Sequence, residues 1–328
     1  MTTNFDEVET TRSYPFATSF FLTGATASGK TALGVELALA LNAESISLDS
    51  MAIYRRMDVG TAKPTLEERR GVRHHMIDVA EPSEEFSAVE YMEQASKAAR
   101  AIRASGKIPL FVGGTPLYLK TILFGVFDAP PADRAFRDEL AQIEEREGRG
   151  TLWKRLRDCD PRAAERLHPN DLKRVVRALE VYHTTGKTIS EQQTQFSAPP
   201  LVDPRRVFIL TWSREVLYDR INRRVDTMLA SGFFEETSAL FSSVPAPSRT
   251  ASQAVGYREL NAVERGEISL EEAVEKIKQY TRNFAKRQET WFRSLASQGA
   301  RRVDADDSSV EELRDRLVAE IKKIENEG

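Results

Sequence analysis

The sequence predicts an α/β fold: a doubly wound parallel sheet that carries a helical insertion domain. Three observations point to it. A short apolar run at Ser19–Leu22 leads into a glycine-rich octapeptide and then a helical stretch. Strand-like and helix-like segments alternate through the first third of the chain, which calls for parallel crossovers. Residues 129–200 then show helical patterns without a convincing strand, bracketed by Pro130-Pro131 and Pro199-Pro200.

Taken in order, Ser19-Phe20-Phe21-Leu22 reads as a buried strand and Ala32–Leu41 as a helix. Between them Gly24, Ala25, Thr26, Ala27, Ser28, Gly29, Lys30 and Thr31 spell G-x-x-x-x-G-K-T, a P-loop. Its glycines let backbone N–H groups turn inward around an anion at the positive end of the helix. Lys30 is placed to lie against terminal phosphates, and the Thr31 hydroxyl to ligate magnesium. The core is therefore P-loop NTPase-like and expected to hold a di- or triphosphate, ATP among them. Glu44–Leu48 reads as a second strand ending at Asp49. Ala88–Ala104 reads as a helix stopped by Gly106, and Lys107–Val112 as a strand ending at Gly113-Gly114-Thr115. In a doubly wound sheet ligands gather at the carboxyl ends of strands, so Gly29, Asp49 and Thr115 are expected in one crevice.

The expected organisation is residues 1–128 as the first part of the core, 129–200 as the insertion, and 201–328 as the completion of the core. The insertion offers helical patterns at Arg134–Arg146, Leu152–Asp158, Pro161–Leu167 and Asp171–Thr184. After it, Arg206–Thr211 resumes a strand, and three or more helices follow.

A chain of 328 residues, 41% hydrophobic and 30% charged, suits a soluble globular enzyme that needs no staples. The lone Cys159 excludes internal disulfides and a cysteine-based zinc site, and it fits a cytoplasmic location. Asp6, Glu7 and Glu9 precede the first apolar run, unlike a secretory or transit peptide. No apolar stretch reaches the ~20 residues of a membrane span. A net charge of −3 does not by itself announce a nucleic-acid partner, so the distribution of charge matters more.

That distribution is uneven. Lys173, Arg174 and Arg177 crowd one helix, and Arg220, Arg223 and Arg224 another. Lys278, Arg282, Lys286 and Arg293 fall near one face of a third, with Arg287, Phe284, Trp291 and Phe292 interleaved. Any one stripe reads as a solvated face. Three stripes with aromatic residues among them favour a polyanion with splayed bases. Asp49, at a strand end beside a phosphate site, can hold magnesium through water, act as general base, or cap a turn. Ser50 can hydrogen-bond a base edge or cap. The Gly113-Gly114-Thr115 turn lacks the magnesium-binding Asp of many P-loop NTPases and offers a hydroxyl, which speaks against ATP hydrolysis. His74-His75 are adjacent, which suits hydrogen bonding better than ligation. His168-Pro169-Asn170-Asp171 reads as a turn and N-cap.

Several segments resemble the bacterial tRNA dimethylallyltransferase (tRNA isopentenyltransferase) family. They are GATASGKT, LDSMAIYRRMDVGTAKP (Leu48–Pro64), HHMIDV (His74–Val79), LFVGGTPLYLK (Leu110–Lys120), HPND with KRVVRALEVY (His168–Tyr182), VGYREL (Val255–Leu260) and KRQETWFR (Lys286–Arg293). The resemblance implies transfer of a prenyl group from dimethylallyl diphosphate to N6 of the adenine at tRNA position 37, beside the anticodon. It also implies magnesium, and a P-loop that holds the diphosphate leaving group. Asp49 matches the family's catalytic aspartate, Thr115 a tRNA-contacting threonine, and Arg224 a diphosphate-contacting arginine. The tRNA-contact segments carry over as Asp49, Ser50, Met51 and Ala52; as Lys173, Arg174, Val175, Val176 and Arg177; and as Gln253 with Gly256, Tyr257 and Arg258. They continue with Lys286, Arg287, Gln288, Trp291 and Arg293, and with Arg137 in the insertion. Gln253 stands where some relatives carry arginine. The lone cysteine leaves out the zinc finger of nuclear and mitochondrial relatives. The protein is expected to be a monomer with no membrane partner. Rival readings are a P-loop small-molecule kinase, an isopentenyltransferase acting on free adenine nucleotides, and a non-catalytic RNA-binding protein with the P-loop as nucleotide sensor.

Overall fold

The computed structural model describes residues 14–126, 130, 132–193 and 199–327. The chain divides into two compact units, Met1–Leu123 with Pro200–Gly328, and Phe124–Pro199. The expected junction at Asp128–Ala129 and the acidic residues Asp6, Glu7 and Glu9 lie outside the described residues.

The first unit holds a six-stranded sheet in the order β3-β2-β4-β1-β5-β6. The strands are β1 (Phe20–Gly24), β2 (Ala43–Ser47), β3 (His74–His75), β4 (Ile108–Val112), β5 (Val207–Thr211) and β6 (Arg301–Asp304). Every pairing is parallel; β1 is central, with Phe21 opposite both Phe111 and Val207. Both faces are covered, which is why β1 and β2 are buried along their whole length rather than alternately. On one face Phe20, Leu22, Leu110, Phe208 and Leu210 join Leu33 and Leu37 of α1 (Lys30–Leu41) in one apolar cluster. The alternate side chains Phe21 and Phe111 stack on the other face with centroids 4.9 Å apart. That side is covered by α2 (Ala88–Ala104), whose Ser87 and Glu90 form a reciprocal capping box. A short helix, α3 (Pro116–Phe124), follows β4.

Two strands lie beyond the sequence expectation. β3 is two histidines long, and β6 buries only Val303 among Arg-Arg-Val-Asp, so neither shows an apolar period. Both are edge strands, where polar residues are tolerated.

The described residues of the second unit form helices and connecting turns, without a strand. It contains α4 (Arg134–Glu147), α5 (Thr151–Cys159), α6 (Pro161–Arg166) and α7 (Leu172–Thr185). Leu140, Leu152, Leu156, Val175 and Ala178 are part of its own core. Asp171 caps α7 by accepting from Arg174 N, as the His-Pro-Asn-Asp segment suggested. Glu180 is wholly buried there and accepts from the guanidinium groups of Arg137 and Arg177 and from Asp133 N.

Back in the first unit, the chain continues through α8 (Arg214–Ala230), α9 (Phe233–Phe241), α10 (Tyr257–Glu264), the long α11 (Leu270–Ala296) and α12 (Val310–Glu327). α12 places Leu313, Leu317, Ile321 and Ile324 at i, i+4, i+8 and i+11, one stripe that joins the cluster around α1. Leu317 is completely buried there. Leu317→Ala is therefore expected to lower the unfolding free energy by about 2–5 kcal/mol through lost burial and a residual cavity. Urea titration followed by circular dichroism checks this, and an unchanged midpoint would show that α12 is not part of the cooperative core.

Candidate active site

The carboxyl ends of β1, β2 and β4, with α8 and α11, enclose a cavity of about 370 Å³ in the first unit. Thr26, Lys30, Asp49, Thr115, Arg224 and Gln288 all line it. Of the three residues expected in one crevice, Asp49 and Thr115 line this cavity, whereas Gly29 does not and the P-loop reaches it through Thr26, Lys30 and Thr31.

The loop after β1 turns into α1 at Gly29, whose φ of 90° is a left-handed value suited to glycine. No side chain caps α1, so the N–H groups of its first turn remain available to an anion. Lys30 bends back on the loop and donates from Nζ to Ala25 O at 2.7 Å and to Ser28 Oγ at 3.3 Å. Burial pushes its pKa down to about 7; the Arg224 guanidinium adds to the depression and the Asp49 carboxylate opposes it. Burial also lowers the pKa of Arg224, again against the pull of Asp49. Two cations and one carboxylate share a poorly solvated space, a surplus of positive charge that a bound anion relieves.

The P-loop is held from behind. Trp212 Nε1 donates to Ser28 O at 2.8 Å, and Arg220 Nε donates to Ala27 O at 2.8 Å. The Arg220 guanidinium also lies over the Trp212 ring, 4.3 Å from its centroid. Arg220 therefore braces the loop. Arg223, one residue on, is exposed and paired with Asp219, so the α8 stripe divides into a brace, a cavity residue and a solvated pair.

Asp49 follows β2. Its Oδ1 accepts from Met51 N at 2.8 Å and Ala52 N at 3.2 Å, while Oδ2 has no protein hydrogen bond among the described residues. The turn-capping role and the free oxygen coexist in one side chain. Thr115 N donates to Leu48 O at 3.0 Å, and its Oγ1 accepts from Ser50 N at 3.0 Å. The ends of β2 and β4 are thereby tied together beside the cavity. Behind them the buried Tyr91 hydroxyl donates to Ser47 O at 2.7 Å, and its ring stacks on Tyr118 at 3.8 Å. His74 and His75 take hydrogen-bonding roles, with Val72 O at 2.9 Å and Glu44 Oε2 at 2.7 Å.

The segments around the cavity are fixed by a second polar network. Glu236 accepts from the N–H groups of Asp58, Val59 and Gly60 and from the Tyr257 hydroxyl. Lys63 Nζ donates to Tyr54 O, Asp58 Oδ1 and Asp78 Oδ1. Sequence reasoning passed over Glu236 and Lys63, since an isolated Glu or Lys carries no sign of which backbone it will reach.

The comparisons with known proteins bear on this site. A family model described as IPP transferase matches residues 52–295. A tRNA dimethylallyltransferase of Symbiobacterium thermophilum is 48% identical over 304 residues, covering 92% of this chain and 93% of the relative. One from Bacillus pumilus is 46% identical over 275 residues, 83% of this chain and 86% of the relative. The chain belongs to the IPP transferase family. Among solved structures, the full-length tRNA isopentenylpyrophosphate transferase of Bacillus halodurans matches with a TM-score of 0.68 at 37% identity. It covers 94% of this chain and 97% of that one. A eukaryotic dimethylallyltransferase acting on tRNA matches with a TM-score of 0.72 at 30% identity, over 88% of this chain and 74% of the other.

The residues that the resemblance implies as RNA contacts differ widely in exposure. Lys173, Arg174, Gln253, Arg258, Lys286, Arg287 and Arg293 are exposed, and Trp291 is half-buried. Val175 is wholly buried in the core of the helical unit, so its side chain cannot meet RNA. Tyr257 is likewise buried, against Phe233 and Glu236, and Gly256 spends its N–H on Glu259. Gln288 is 2% exposed, and its side chain accepts from Thr26 N and donates to Gly114 O. Ala52 is buried beside the cavity. Arg137 and Arg177 are half-buried partners of Glu180. On α11, Lys278 pairs with Asp226 and Arg282 bonds Asn222, so these two bases hold α11 to α8.

The low pKa of Lys30 has a consequence for anion binding. Below about pH 7 the ammonium is present before any ligand arrives; above it the free protein must take up a proton to bind a diphosphate. Affinity for inorganic pyrophosphate is therefore expected to fall as pH rises from about 7, with proton uptake measurable by calorimetry in buffers of different ionisation enthalpy. Lys30→Ala should remove that component, leaving the titration of pyrophosphate itself. An identical pH dependence in both proteins would show that Lys30 is not the group concerned.

Proposed function

We propose that this protein transfers a dimethylallyl group from dimethylallyl diphosphate to N6 of the adenosine at position 37 of tRNA, releasing diphosphate. Supporting this reading are relatives named tRNA dimethylallyltransferase and a solved dimethylallyltransferase acting on tRNA. The observation that carries it is the meeting of Lys30, Arg224 and Asp49 in one cavity, where the pKa of Lys30 responds to both neighbours.

The chemistry follows from that charge arrangement. When the C1–O bond of the donor breaks, the electron pair leaves with the diphosphate, and positive character remains on the allylic carbon. The N–H groups at the start of α1, Lys30 and Arg224 stabilise the growing negative charge. The N6 lone pair forms the new bond to C1, and the N6 proton passes to Asp49, whose Oδ2 is unencumbered. Thr115 orients the base beside the Ser50 turn. An unpaired loop adenine can be turned out of its stack for about a few kcal/mol, which lets the base enter the cavity.

Magnesium fits the donor set modestly. The Thr31 hydroxyl is exposed at the first turn of α1, and the described residues contain no group of three or more His, Cys, Asp or Glu able to hold a metal. Such a site suits an ion that keeps waters and takes most remaining ligands from substrate phosphates. Bound there with the donor, magnesium would neutralise charge on the departing diphosphate. The P-loop then serves a prenyl donor in place of ATP.

Mass spectrometry of tRNA incubated with the protein and labelled dimethylallyl diphosphate tests the reaction, with ATP as control. Labelled adenosine is expected from the wild type. Asp49→Ala should lower the chemical step by several powers of ten while tRNA affinity stays largely intact. Wild-type turnover in that variant would remove Asp49 from proton transfer, and label-free tRNA with the wild type would sink the function. The exposed bases of α11 generate a second expectation. Lys286→Ala with Arg287→Ala should weaken tRNA binding and reduce the salt dependence by about one unit of slope per lost phosphate contact. An unchanged slope would return that face to ordinary solvation.

A further inference from the structure

Gln288 lies in the segment where the family resemblance puts contacts to tRNA, yet its surroundings give it other work. Its side chain is 2% exposed and lines the cavity. Oε1 accepts from Thr26 N at 2.9 Å, and Nε2 donates to Gly114 O at 2.6 Å. The first partner belongs to the P-loop and the second to the turn that carries Thr115. The two are 88 residues apart in sequence, and no other side chain among the described residues bonds to both.

The local packing is built around that amide. A Cβ at Gly114 would sit 2.7 Å from Gln288 Nε2 and 2.8 Å from Gly24 O, so only glycine lets the amide and β1 approach the turn this closely. The chemistry of the two partners also selects the residue. Thr26 offers a donor and Gly114 an acceptor, so the bridging group must accept at one end and donate at the other. Glutamate could not donate to Gly114, and lysine could not accept from Thr26. Taking the Thr26 N–H also removes it from the anion cradle, leaving the later loop and first-turn N–H groups to meet phosphate.

We infer that Gln288 is a positioning residue that sets the diphosphate cradle against the Gly113–Thr115 turn, and that it is not a contact to RNA. This deepens the reading of the cavity as a prenyl-diphosphate site and rests on it. When the bridge is lost, both chain segments keep their own elements, but the distance between leaving group and acceptor base is no longer fixed. Misplacement by a fraction of an ångström to an ångström reduces the chemical step far more than it reduces binding of either substrate.

Gln288→Met tests this, because methionine keeps the length and apolar bulk while removing both hydrogen bonds. Expected are a cooperative thermal transition, tRNA affinity within about twofold of wild type, weaker binding of inorganic pyrophosphate, and a fall of about 10- to 100-fold in kcat. Gln288→Glu, which keeps the acceptor and loses the donor, should show the same fall in kcat with unchanged tRNA affinity. Should Gln288→Met fail to fold, Gln288→Glu decides alone by the same readouts. A loss of tRNA affinity with kcat and pyrophosphate binding preserved would overturn the inference and restore Gln288 to the RNA surface. Wild-type kcat in both variants would overturn it as well. Wild-type protein that binds pyrophosphate but never prenylates tRNA would instead strike at the proposed function, while a change in pyrophosphate affinity on substitution would still support the bridge.

Discussion

The site depends on how closely three strand ends can approach one another. At the carboxyl edge of the sheet, β4 is followed by Gly113-Gly114, packed against Leu48 after β2 and Gly24 at the end of β1. A Cβ at Gly113 would lie 2.5 Å from the Leu48 carbonyl, and one at Gly114 would meet both Gly24 O and Gln288. With no side chains in the way, the turn brings Thr115 against Ser50 and leaves Asp49, Lys30 and Arg224 around one cavity. A parallel sheet supplies the common direction of these ends, and the glycines supply the closeness. Widening that edge by one methyl would separate the anion cradle from the carboxylate that the proposed chemistry places opposite it.

Electrostatics then builds on sterics. The P-loop carries a lysine whose ammonium is enclosed by the loop's own carbonyl and hydroxyl groups, near a second cation. Without a ligand this is a strained distribution of charge, held together by packing elsewhere: Trp212 and Arg220 behind the loop, and the α8–α11 pair beside it. Burial and the neighbouring Arg224 both disfavour the Lys30 ammonium, which the proposed diphosphate would favour. This pattern is expected of binding sites and is seldom tolerated in a purely structural core.

The basic residues of the second half show why composition alone could not assign them. Lysines and arginines on α8 and α11 recur at helical spacing, and on a helical wheel they look equivalent. Antiparallel packing of the two helices consumes Lys278 through Asp226 and Arg282 through Asn222 and continues at Ala285 against Leu217 and Ile221, whereas Lys286, Arg287 and Arg293 stay exposed. In the helical unit, Arg137 and Arg177 neutralise the buried Glu180, whereas Lys173 and Arg174 face solvent. Partner and exposure, not charge, separate a brace from a surface.

The octapeptide after a buried strand, the strand–helix alternation and the helical stretch between proline pairs all rest on local periodicity, so the sequence alone determined the α/β class, the P-loop and the strand-end positions of Asp49 and Thr115. The edge strands β3 and β6 escaped that reading because two histidines and an Arg-Arg-Val-Asp segment have no apolar period; their pairing comes from the neighbouring strand. Tertiary structure alone decided the roles of Gln288, Arg220 and Glu236. Each acts by reaching backbone far away in the chain, at Thr26 and Gly114, at Ala27, and at Asp58–Gly60. It also moved Val175 and Tyr257 from an expected RNA surface into cores. A motif records which residues stand together in sequence, whereas burial and hydrogen bonding depend on what the fold places opposite them.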